Sequence, residues 1–426
     1  MNYIFYTKSD IDLEGNNVNI SVFRFIMASF LLNTLNFFAT NNPYRAYHSG
    51  RTAYESIYTG SNYWIAPIYI LLALILLNFL KLCIIKHNII IDRFHVLFLT
   101  CFIVASVVNG SVISSFKSLF LNLILYITIF EFSYFVADIS NYRDSSAVGL
   151  AIRLNNIVLF LVIFGVVFAL IQRNRYGVVN FDFSRTTRGE ITYWVYLGLH
   201  VLATPSSLTA FTIRRRIRDL FPMVIVALFQ LAFVNRMGII YIVVPVLFYC
   251  FHMTNTNKRF IVLFGIVLAL LFLGPEMSKA LQVYIGRPTN YISLLNGRDV
   301  LWSFYYTLLK KYPLFGAGQN AVSNFVYTGT AISEVGLLKI FAENGVVVGV
   351  IHIVFLGLGF LQANSLIRNS RNNSYYDTIG LLCSYYLISC LIAIVIESHA
   401  TILNITDFMA WFCLYFLYNR RINCSA

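Results

Sequence analysis

Twelve apolar stretches, each long enough or nearly long enough to cross a bilayer as a helix, leave this chain few ways to fold. They run at 21–39, 63–82, 94–112, 116–137, 154–171, 192–211, 220–235, 238–253, 260–274, 344–363, 378–396 and 402–418. A helix needs roughly 20 apolar residues to cross a hydrocarbon layer of about 30 Å, and all its backbone polar groups must be satisfied internally. With 58% hydrophobic and 12% charged residues in 426, the chain has more apolar surface than one water-solvated core can bury. The expected fold is therefore an all-α integral membrane protein of about twelve transmembrane helices, a single polytopic domain over 1–426. The seventh and eighth stretches are short, separated only by Asn235, Arg236 and Met237.

Basic residues in short loops stay on the cytoplasmic side and set orientation. Lys81, Lys86 and Arg93; Arg214, Arg215, Arg216 and Arg218; Lys258 and Arg259; Arg368 and Arg371; and Arg420 and Arg421 fall on one side if twelve spans alternate. That side is the cytoplasm, and an even count puts both termini there. The first 20 residues hold three acids and one lysine, so they lack the basic region of a removable signal peptide, and the first apolar stretch is expected to remain as an anchor. The seven cysteines imply no disulfide framework and show no metal-ligand spacing.

On this topology a large external loop, 275–343, lies between the ninth and tenth spans, with smaller external loops at 40–62 and 172–191. Six of the Lys and Arg residues fall in the long loop and four, Arg173, Arg175, Arg185 and Arg188, in the loop 172–191. Long loops translocate regardless of charge, which accounts for this excess in one way. The other account is an external surface that holds a polyanion through guanidinium groups.

The segment 296–350 mixes helix and turn signals. Asp299–Lys311 reads as an amphipathic helix lying on the membrane surface, with Leu301, Tyr305, Leu308 and Leu309 on one face. Pro313 ends it, and Gly316 with Gly318 permit a tight turn. Without a preceding strand, that Gly-x-Gly is a turn and not a nucleotide loop.

Several residues group into a pattern: Gly297, Arg298, Leu301 and Trp302; then Pro313, Leu314, Gly316 and Gly318; then Glu334, Leu338, Glu343 and Gly345, with Asn235, Arg236, Met237 and Gly238 as a separate element. This pattern resembles that of the membrane O-antigen polymerase and O-antigen ligase group, the Wzy-type polymerases and their ligase relatives. Ligases of the group usually carry His-Asn nine residues before the motif glutamate, where this chain has Glu334 and Val335. The missing histidine suits a polymerase. Asn235 stands where the family's Ser-Arg-x-Gly has serine.

The resemblance implies transfer of a glycan from an undecaprenyl-pyrophosphate carrier to a sugar hydroxyl at the outer face of a bacterial cytoplasmic membrane. Arg236 and Arg298 are then the expected pyrophosphate clamp, since guanidinium groups stay charged and bind phosphate oxygens in a fork. Glu334 is the expected base, with Arg185, Arg188 and Arg287 as further contacts to pyrophosphate or glycan. His48 and His399 are alternatives for the base. Glu343 reads instead as stabilising a helix start or pairing with an arginine. Glu131 and Arg24 lie within predicted spans, where a charge must face protein or a wet cavity, or snorkel to the edge. No metal or cofactor is expected, and no nucleic acid. The expected partners are the lipid-linked oligosaccharide, membrane lipid, and a chain-length regulator and flippase of the same pathway. A ligase acting on lipid A-core, or a lipid-linked glycan transporter, are the alternatives. A transporter should place its functional charges near the midplane on broken helices.

Overall fold

A computed structural model of the protein describes residues 92–114, 116–139, 145–176, 199–232, 236–253, 298–318, 336–369, 377–396 and 405–425. Among these residues the only regular elements are helices: α1 Arg93–Val108, α2 Ser111–Ser114, α3 Phe116–Ile139, α4 Ser145–Tyr176, α5 Leu199–Arg214, α6 Phe221–Ala232, α7 Arg236–Met253, α8 Arg298–Lys311, α9 Gly336–Asn369, α10 Thr378–Ile396 and α11 Ile405–Ser425. A short 3₁₀ turn, Ile217–Leu220, leads into α6. By length and composition, one of these helices, over Leu337–Asn369, can cross a membrane. The predicted stretches at 21–39, 63–82 and 260–274 lie outside the described residues.

The helices start and stop where local chemistry says they should. Asp92 caps α1, its carboxylate accepting the backbone N–H of His95 at 2.8 Å. The helix ends at Val108, four residues before the end of the predicted span. Asn109 and Gly110 end it because Gly110 adopts a φ of +75°, and both N–H groups return to the last turn, at Ala105 and Val107. Asp377 caps α10 in the same way, accepting from the Gly380 N–H at 2.8 Å.

The chain divides into two compact units. In the first, α5 packs against α4, α6 and α7, and several of its polar groups are bonded to neighbours. The Asn155 amide donates to the Asp219 carbonyl oxygen at 2.9 Å, while its own oxygen accepts from Ser206 and Ser207. Arg214 forms an ion pair with the buried Asp219. Thr212 and Tyr385 share a hydrogen bond at 3.1 Å. These groups are matched with one another, whereas the buried Thr204 and Thr209 hydroxyls of α5 make no hydrogen bond among the described residues.

The core of the second unit is aromatic. Phe98, Phe102, Tyr126, Phe130, Phe355, Trp411 and Tyr415 are all buried and meet mostly edge to face. Such edge-on pairs suit ring quadrupoles better than face-to-face contact. Stacked contacts also occur, the closest being the imidazole of His95 on Phe130 with centroids 3.8 Å apart, and Phe98 on Phe102 at 6.2 Å. At the far end of this core the Tyr418 hydroxyl donates to Asp92 at 3.0 Å, so the carboxylate that caps α1 also ties α11 to it.

Candidate functional site

The site is built where α9 breaks. Gly345 has φ +84° and ψ 174° within an otherwise helical run, a conformation only glycine holds without strain. The break divides α9 into a short leg, Gly336–Asn344, and a long apolar leg from Val346. A broken helix frees carbonyls on one leg and N–H groups on the other, and each needs a partner when buried.

The Pro313–Gly318 turn supplies those partners. The N–H of Ala317 donates to the Ala342 carbonyl at 2.7 Å, that of Gly318 to the Glu343 carbonyl at 3.0 Å, and that of Val346 to the Pro313 carbonyl at 2.9 Å. From the end of α1, the Asn109 side-chain amide donates to the carbonyl of Phe315 at 3.0 Å and to that of Glu343 at 3.3 Å. Its oxygen accepts the Ser111 N–H at 3.1 Å. One asparagine therefore holds both the turn and the break.

Three glycines allow this close approach. A methyl group on Gly316 would overlap the backbone of Glu343 and Asn344, and one on Gly345 would overlap the Leu314 carbonyl. One on Gly318 would lie 2.9 Å from the Ser111 hydroxyl oxygen. Gly316 and Gly318 have φ of +73° and +99°, so the turn read from their spacing is present.

Above the break, α8 lies against the short leg of α9. Tyr305 is buried against Ala342, with Phe304, Leu308 and Leu338 packed around the pair. On the face of α8 expected to lie on lipid, Tyr305 is covered by protein and Leu308 partly so, because α9 begins eight residues before the predicted span. Glu343 is buried and stands at the end of the short leg, not at a helix start as its sequence position suggested. Burial pushes the Tyr305 phenol well above its ordinary value, and the Glu343 carboxylate adds to the effect. Lys339, one turn before Glu343, is buried too.

Two parts of the sequence pattern are thus brought together: Pro313, Leu314, Gly316 and Gly318 with Glu343 and Gly345. Arg298 begins α8, whose other end runs into this turn, and Arg236 begins α7 in the first unit. Glu334, Arg185, Arg188 and Arg287 lie outside the described residues, as do His48 and His399. Asn109 was missed in the sequence, where Asn-Gly sat inside a predicted span; read as a turn signal, the dipeptide marks the end of α1. Among the described residues no three His, Cys, Asp or Glu side chains group as a metal site. The freed Ala342 and Glu343 carbonyls and the Val346 N–H are taken up within the junction, so its chemistry is to hold α8, the turn and α9 in fixed register. Compared with family models, curated proteins and solved structures, the chain matches none.

Proposed function

We propose that the chain is a polytopic bacterial membrane glycosyltransferase, an O-antigen or related repeat-unit polymerase with about twelve spans, both termini inside and its active site facing the periplasm or exterior. It moves a growing glycan from undecaprenyl pyrophosphate to the distal sugar of the next lipid-linked unit. The observation that carries this reading is the junction at Gly345. Pro313-Leu314-x-Gly316-x-Gly318 and Glu343-x-Gly345 are the two motif parts that suggested the family, and they lie on each other through three backbone hydrogen bonds. Physical contact between them supports treating the pattern as one unit.

In this mechanism the acceptor hydroxyl oxygen attacks the anomeric carbon of the donor glycan. The bond from that carbon to the pyrophosphate oxygen breaks, and the electron pair leaves with the pyrophosphate. Arg298 and Arg236 meet the charge that grows there. The hydroxyl proton passes to a carboxylate, for which Glu334 remains the candidate, although an activated leaving group lessens the need.

A transporter of lipid-linked glycan is the second reading, because discontinuous helices are a transporter device. There, however, the freed helix ends face substrate or ions. Here the carbonyls of Ala342 and Glu343 and the N–H of Val346 are taken up by the turn and Asn109, which favours a static support over a moving gate. A ligase shares the arginine chemistry and differs in acceptor; Glu334 in place of the ligase histidine favours the polymerase.

The test is the surface glycan of cells lacking the protein, run on a gel beside cells carrying it back. A polymerase predicts loss of the long ladder with core bearing one repeat unit retained. Loss of every core-attached repeat, with polymer held on the carrier, would mean a ligase, and an unchanged ladder would end both readings.

A further inference from the structure

Between the end of α8 and the glycine turn, every residue from Lys310 to Leu314 is exposed. Leu314 is 58% exposed and Tyr306, one turn before Lys310, is 60% exposed. The Lys310 ammonium lies 4.7 Å from the centre of the Tyr306 ring, and that of Lys311 lies 5.2 Å from the centre of Tyr312. A cation over a ring face is held in place yet keeps N–H donors for another partner. No carboxylate occurs in the sequence between Asp299 and Glu334, so neighbouring chain offers these lysines no counter-charge.

The height of this tip is fixed by the junction. The Pro313 carbonyl accepts the N–H of Val346, the first residue of the long apolar leg of α9. If that leg enters the bilayer at Val346, Leu314 and the two tyrosines stand at its boundary. Tyrosine rings favour that level, and lysine stems lie along apolar surface while their heads reach the phosphates.

We propose that Lys310–Leu314, with Tyr306, is an interfacial anchor that takes anionic phospholipid headgroups of the outer leaflet. Leu314 and the rings enter the boundary, and the two ammonium groups pair with headgroup phosphates. This rests on the membrane reading of α9 and not on the polymerase reading, and its test needs no glycan.

Full-length protein in a neutral detergent is titrated with phosphatidylglycerol or with phosphatidylcholine, and bound lipids are counted by native mass spectrometry. Wild-type protein should prefer phosphatidylglycerol. Lys310→Gln with Lys311→Gln should weaken its binding about 25-fold at low salt, taking about fivefold for each lysine at an anionic surface, whereas the Lys310→Arg, Lys311→Arg protein should keep it. Added salt should narrow the difference. Both pairs of substitutions are at exposed positions, and elution as wild type verifies the fold. Unchanged phosphatidylglycerol binding in the glutamine protein would overturn the proposal, as would equal wild-type affinity for the two lipids. Displacement of the lipid by inorganic pyrophosphate at equal concentration would also overturn it, assigning the lysines to a small-anion site.

Discussion

The side-chain amide of Asn109 donates to the main-chain oxygen of Glu343 at 3.3 Å, and the same amide reaches the Phe315 carbonyl at 3.0 Å. Replacing it takes this donor from the Phe315 carbonyl and the acceptor from the Ser111 N–H, while the Glu343 carbonyl keeps its bond from the Gly318 N–H. Asn109→Ala should destabilise the protein by about 1–3 kcal/mol, the cost of unsatisfied buried groups. Asn109→Asp keeps the oxygen that accepts from Ser111 but loses the donor, so it should behave like alanine or worse. Thermal unfolding of the detergent-solubilised protein measures both, and a wild-type midpoint in Asn109→Ala would show that the turn does not depend on this amide.

Gly345→Ala combines a disfavoured backbone region with overlap of the Leu314 carbonyl. Together these should cost about 3 kcal/mol or more. Gly357 lies in the helical leg of the same α9, with nothing within 4 Å of an added methyl group. Gly357→Ala should therefore stabilise by about 0.4–1 kcal/mol. Opposite signs from one substitution on one helix, read as shifts in unfolding midpoint, separate the junction from ordinary helix propensity.

In the first unit Asp219 is buried and bonded to Arg214 at both carboxylate oxygens. Asp219→Ala leaves a partly buried guanidinium without its partner and should cost about 3 kcal/mol, the lower end for breaking a buried pair. Arg214→Met combined with Asp219→Leu should recover part of that loss. Equal instability of the single and double variants, in denaturant titration, would mean the pair is not what holds the α5–α6 corner.

If the proposed polymerase function holds, Arg298→Ala and Arg236→Ala should each lower polymer formation by about 10²- to 10³-fold, as for other preorganised donors to developing charge. Immunoblotting must show the protein present. Glu334→Gln should reduce the ladder more than Glu55→Gln. Similar small effects from the two would make Glu334 an ordinary loop carboxylate.

Helix positions were legible where apolar residues run unbroken, as in α10, whose predicted stretch and observed span coincide. They were less so where polar residues are buried among them. Lys339 and Glu343 made 336–343 read as loop, yet both are covered by protein and the segment is helical. The break at Gly345 left no local mark, since glycine is common in apolar helices. Its signal lay in the Pro313–Gly318 turn, whose N–H groups need those carbonyls. The turn was readable from its own residues because proline and two glycines dictate backbone angles locally; what it would bind was not, because that partner is remote in sequence.

The bonds made by Asn109 span 206 and 234 positions of chain, which gives the junction a place in time. At about 5–20 residues per second of synthesis, the end of α1 emerges about ten to fifty seconds before Phe315 and Glu343 exist. Throughout that interval its amide is available to water or to insertion factors, and the seat for the turn stands open. The junction is thus a late event in biogenesis. A ribosome that stalls before Gly345 leaves a chain with its early helices made and this seat unfilled.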